Sequence, residues 1–150
     1  MELRCKIYNL DIPDKNGCVF SKGAINSVYN KYFGSNIPVY IRDNTEDDNV
    51  IVGCANITAA NYPEMDFYIK TNDEVLESLI KSHVGGFVMR GLGEIDNIAD
   101  NKLIRNYRLK ELNYTLYPAQ STSVEIINNP NISVDLAEGE DFTNQTLKTL

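Results

Sequence analysis

The sequence predicts an α+β domain: a curled, mainly antiparallel sheet or small barrel with two helices packed against it. Three observations point there. Several runs rich in β-branched residues alternate apolar with polar positions, two stretches repeat their apolar residues at helical spacing, and the strand runs are long with only two helices among them.

The elements follow in order. "ELRCKIYNL" sets Leu3, Cys5 and Ile7 against Glu2, Arg4 and Lys6, the period of a half-buried strand. After the turn signal "PDKNG", Ser21 is placed to N-cap a helix over 21–33. Its apolar residues Ile25, Val28, Tyr29, Tyr32 and Phe33 recur at i, i+3, i+4, i+7 and i+8, and Gly34 stops it. "IPVYI" and "NVIVGCANI" read as strands flanking an acidic loop, and "MDFYIKT" as another after the "NYPE" turn. Thr71 and Glu74 form a capping box for a second helix over 72–84, with Val75, Leu76, Leu79 and Ile80 as its apolar stripe and Gly85 and Gly86 after it. "GFVMRGLGEI" resumes strand character, "DNIADN" reads as a loop, and "LIRNYRLKELNYTLYPA" as one long bent strand or two short ones. Leu3, Ile7, Ile25, Val28, Val52, Phe67, Leu76, Ile80, Val88 and Leu109 are the expected core. Residues 1–127 make the domain, and the polar, acidic stretch 128–150 reads as an arm or tail.

Composition excludes several function classes. A formal charge of −7 repels a nucleic-acid duplex, so direct nucleic-acid binding is not expected. No apolar run approaches the roughly 20 residues that span a bilayer. "MELRCKIYNLDIP" lacks the apolar region of a signal peptide, so the expectation is an unexported chain with no membrane partner. Cys5, Cys18 and Cys54 are widely spaced, unlike the paired clusters of structural zinc, and read as reduced core residues. His83 is the single histidine. The acidic run "DNTEDDNV" is not a calcium loop, because Asp48 stands at the glycine turn and Cys54 at the bidentate position. No metal and no cofactor are expected.

The segment "HVGGFVMRGLGEI" (83–95) is the densest in glycine. Gly86 and Gly91 have the spacing of the first half of a P-loop, but Leu92 and Gly93 replace its Lys and Ser/Thr, and Asp96 stands where a dinucleotide fingerprint needs a third glycine. The glycines can equally permit a helix end and the close packing or bulging of a strand. His83 reads as a helix C-terminal cap.

Four pieces resemble the prohead maturation proteases of tailed bacteriophages, which share a fold with the herpesvirus assemblin proteases. "NGCVFSKGAI" is similar to the family's segment opening the first helix, "IPVYIRDN" to the strand that ends in an Asn-His-Asp type motif, "VMRGLGEI" to the strand carrying Gly-Leu-Ser-Ile-Gly, and "LKELNYTLYPA" to a closing strand. The resemblance covers roughly residues 5 to 120. It places the family's nucleophilic serine on Gly93 and its histidine on Asp43, or on Arg42 if the register slips by one; Glu111 stands where the family has an acid. An acid with no imidazole to orient cannot activate a nucleophile, so the resemblance implies a degenerate scaffold and no enzyme. What it implies instead is a virion protein assembled in the host cytoplasm: an auxiliary or decoration protein on the major capsid protein of a tailed phage, also touching itself or other virion proteins. Phe142, Leu147 and Leu150 in the arm are the expected partner contacts. Two alternatives stand beside this: an active prohead protease with relocated catalytic residues, and an unrelated cytoplasmic interaction module.

Overall fold

The computed structural model describes residues 1–42 and 50–127. In chain order they form β1 (Glu2–Tyr8), β2 (Cys18–Phe20), α1 (Lys22–Tyr32), β3 (Ile37–Ile41), β4 (Gly53–Asn61), β5 (Glu64–Lys70), α2 (Glu74–Lys81), β6 (Gly86–Ile98), β7 (Asn101–Thr115) and β8 (Ser121–Ile127). The strands make one strongly curled mixed sheet in the order β2-β7-β3-β4-β5-β1-β8, with β6 paired to the other edge of β7. Two pairings are parallel, β2 with β7 and β3 with β7; the other five are antiparallel. This is the α+β class that the strand patterning predicts.

Alternation decides which face each strand buries. Leu3, Cys5 and Ile7 of β1 lie inside with Met65, Phe67 and Ile69 of β5, and Leu3 pairs directly with Ile69, Cys5 with Phe67 and Ile7 with Met65. A one-residue slip would turn all six toward water, so burial itself fixes the register. Ala55 and Ile57 of β4, Ile37 and Val39 of β3, and Leu112 and Tyr114 of β7 continue the same inner layer.

Helix α1 starts where Ser21 predicts. The Ser21 hydroxyl accepts from the Ala24 N–H at 3.0 Å, and Ala24, Ile25 and Val28 are buried. Full burial of an Ile or Val side chain contributes roughly 1.5–3 kcal/mol. The helix joins β2 to β3, which lie end to end along one edge of β7, so α1 is the crossover between two parallel strands.

Helix α2 departs from the expected capping box. Thr71 is buried and donates its hydroxyl to the Val52 carbonyl, which removes it from the cap; the Asp73 carboxylate accepts from Leu76 N–H at 2.9 Å instead. The helix runs only from Glu74 to Lys81, shorter than the expected 72–84. Leu76 and Ile80 are buried, while Val75 is exposed. His83 follows the C-cap residue Ser82 with φ 56°. The His83 N–H bonds Ile80 O and the Val84 N–H bonds Leu79 O, a Schellman closure made with histidine in the left-handed position.

Other boundaries also move. "NVIVGCANI" pairs only from Gly53 onward, leaving Val50 and Ile51 exposed. The expected loop "DNIADN" is a two-residue turn, Ala99–Asp100, because β6 runs to Ile98 and pairs it with Asn101. Val52 and Val88 are half-buried, since Phe87 and Met89 are the residues of β6 that point inward; the other eight expected core residues are buried. Strands β2 and β8 carry no strong pattern and were not expected. Gln120 closes the seam between β6 and β8: its side-chain oxygen accepts from Met89 N–H at 2.9 Å, and its nitrogen donates to Met89 O at 3.4 Å. The 128–150 arm lies outside the described residues.

Candidate functional site

Strands β3, β7 and β6 present a polar face where the sheet is otherwise apolar within. The parallel register sets Val39 beside Leu112 and Tyr40 beside Asn113, and the antiparallel one sets Arg90 beside Glu111 and Val88 beside Asn113. Alternation then puts Glu111 and Asn113 opposite to the inward side chains of Leu112 and Tyr114. Arg42, just beyond β3, reaches Glu111 in a two-pronged pair, Nε to Oε2 at 3.1 Å and Nη2 to Oε1 at 3.4 Å. Both side chains are largely buried, at 14% and 13% exposed. The Arg42 guanidinium also lies 4.3 Å from the centre of the Tyr40 ring. Asn113 is buried, and its Oδ1 has no hydrogen-bond partner among the described residues.

The residues singled out by sequence are therefore placed as follows. Glu111 and Arg42 come together, from positions 69 apart in the chain. Gly93 lies on β6 three residues past Arg90, the cross-strand partner of Glu111, or roughly 10 Å farther along the strand. Two register shifts, between Arg90 and Gly91 and between Leu92 and Glu94, fall between the two positions. A Cβ at Gly93 would stand 2.8 Å from Ile104 Cγ2 and 3.2 Å from Tyr107 Cδ1, so this position faces packed side chains. Gly91 is tighter still, its missing Cβ aimed at the Arg108 carbonyl. Within 83–95 the glycines thus serve a bulged, closely packed strand, with no strand-to-helix loop to cradle a phosphate. Asp43, Phe142, Leu147 and Leu150 lie outside the described residues.

Other chemistry-bearing groups are dispersed. The three cysteines are free. Burial pushes the Cys5 thiol up to about 12, against a smaller opposing effect of its contact with Thr122, which suppresses the thiolate that a nucleophile requires. Burial likewise raises Cys18 and Tyr107. His83 and Ser123 both line a cleft of about 270 Å³ between α2 and β8, with no hydrogen bond between them. Among the described residues no three His, Cys, Asp or Glu side chains gather as a metal cage, and no helix is long and apolar enough to cross a membrane.

The Arg42–Glu111 contact was only partly legible in advance: Glu111 and the alternative register at Arg42 are visible in the sequence, their pairing is not. The buried Asn113 and the seam residue Gln120 have no sequence signal, because an Asn or Gln in a strand or turn reads as solvated.

No family model matches the chain, and no curated protein matches it at a significant level. Among solved structures it is similar to the capsid assembly protease of bacteriophage T4, with a TM-score of 0.60 and 9% sequence identity over 75% of this chain and 78% of that one. At that identity the likeness concerns the fold, and the curled mixed sheet with its two helices is of the prohead-protease type.

Proposed function

We propose that this chain is a non-enzymatic virion protein, an auxiliary or decoration protein that binds the major capsid protein of a tailed bacteriophage. The observation that carries the reading is the Arg42–Glu111 pair within a fold like that of a phage capsid assembly protease. A carboxylate held by both prongs of a guanidinium is already engaged by a cation, and the single histidine, His83, lines a cleft that Glu111 does not, whereas a triad acid works only by orienting an imidazole. The crowding at Gly93 supports it further, because a serine there would meet Ile104 and Tyr107. A scaffold of this kind without its chemistry retains its surfaces, and binding is what surfaces do. Phe142, Leu147 and Leu150 are the proposed anchors on the neighbouring capsid subunit.

The test is mass spectrometry of purified particles, where the reading expects many copies per virion. Deleting 128–150 should leave melting unchanged and abolish incorporation. A second reading, an active maturation protease with relocated residues, draws on the cleft shared by His83 and Ser123. Co-expression with a capsid protein carrying its scaffolding segment separates the two: truncated capsid products, lost on His83→Ala, would establish the protease and end the decoration reading.

A further inference from the structure

The β6–β7 hairpin carries an unusual charge balance for so acidic a chain. Its acids are Glu94, Asp96, Asp100 and Glu111. Glu94 and Asp96 both engage Arg105, with Arg105 Nε to Asp96 Oδ2 at 2.7 Å, and Glu111 engages Arg42. Its remaining cations, Arg90, Lys102, Arg108 and Lys110, are exposed and form no ion pair among the described residues. Arg108 pairs across the hairpin with Leu92, Arg90 stands two residues before it, and Lys110 is the residue skipped at the register shift beside Gly91. Three aliphatics accompany them along β6: Leu92, Ile95 and Ile98 are 55%, 51% and 56% exposed.

The outer edge of β6 is also open. From Arg90 to Ile98 its backbone makes no hydrogen bond other than those to β7 among the described residues, and the Gln120 clip stops at Met89. Lysines, arginines and bulges on an edge strand ordinarily protect it from pairing. Protection does not call for three exposed aliphatics along the same strand. Together these features match what an added strand needs: free main-chain groups, apolar contact sites, and a charge that selects its partner.

We infer that the β6 edge of this hairpin docks an extended acidic peptide segment of a partner protein, which adds as a strand beside β6 with its carboxylates toward Arg90, Arg108 and Lys110 and its alternate apolar side chains on the opposite face, against Ile95. Charge complementarity chooses the occupant. A second copy of this chain would bring the same cations against themselves, and a nucleic acid would find no exposed aromatic on the hairpin to stack on. The inference is independent of the virion reading and holds for any partner of this chemistry.

The experiment is a titration of the ¹⁵N-labelled full-length protein with a blocked peptide of alternating valine and glutamate, about ten residues long. Saturable amide shifts confined to residues 90–110 are expected, weakened by added salt and by at least about tenfold in the Arg108→Glu/Lys110→Glu variant. If that variant does not fold, Arg108→Gln/Lys110→Gln serves and should weaken binding in the same direction. Absence of saturation up to about 1 mM peptide, shifts centred elsewhere, or equal binding of a valine–lysine peptide would each overturn the proposal. So would concentration-dependent shifts of these residues without peptide, which would mark a second copy as occupant, or tighter binding of a single-stranded oligonucleotide at the same residues.

Discussion

Replacing Glu111 with alanine is the sharpest probe of the polar face. The substitution removes the Glu111 carboxylate from beside an Arg42 side chain that is 14% exposed, while the Tyr40 ring stays 4.3 Å from its guanidinium. Breaking a fully buried pair from one side costs about 3–5 kcal/mol. The residual exposure and the contacts Arg42 keeps bring the expectation to about 2–4 kcal/mol, read as a shift of the urea midpoint at constant slope. For a domain of this size that corresponds to a fall in melting temperature on the order of 10 °C. The apolar double variant Arg42→Met/Glu111→Leu should recover part of the loss, because it removes both charges of this pair together. A cost below about 0.5 kcal/mol for Glu111→Ala would place the pair among solvated surface bridges. The carboxylate would then be available to other partners, and the reasoning that denies it a catalytic role would fail.

Gly93→Ser should destabilise by about 1–3 kcal/mol through the contact with Ile104, seen in the same urea assay, and the double variant Gly93→Ser/Asp43→His should show no cleavage of a capsid substrate. Robust cleavage would overturn the pseudo-protease reading. Gln120→Ala removes both clips on Met89 and should cost about 1–2 kcal/mol, with faster hydrogen exchange at the Met89 amide and little change at β5; uniform exchange would mean that the seam is not closed there. Cys5 supplies an alkaline signature. Its folded pKa, about 12, lies above the ordinary thiol value of 9.0, so above pH 9 the unfolded chain releases a proton that the folded one keeps. The Cys5 contribution is whole below pH 9 and is lost as the pH rises toward 12, and Cys5→Ala should flatten that limb of the stability curve. An unchanged limb would show that other groups carry it.

The sequence by itself determined the features that depend on near neighbours. Alternation at Leu3, Cys5 and Ile7 depends only on the two-residue period of a strand, and the Ser21 cap on an N–H three residues away, so both are legible without the fold. It also displayed the candidate positions Gly93, Arg42 and Glu111 along a chain of prohead-protease-like order. What it could not supply is which strands meet. The single strand β7 takes β2 and β3 on one edge and β6 on the other, and β8 forms because β1 offers it an edge. Its exposed and half-buried residues show too little contrast to announce a strand. The same limit hid the chemistry of the polar face. Thr71 gave up its expected cap for the Val52 carbonyl, and Glu111 was taken by an arginine 69 residues away. Hydrogen bonds and ion pairs of that range are selected by which groups are desolvated together, a property of the packed sheet and of no local stretch of chain.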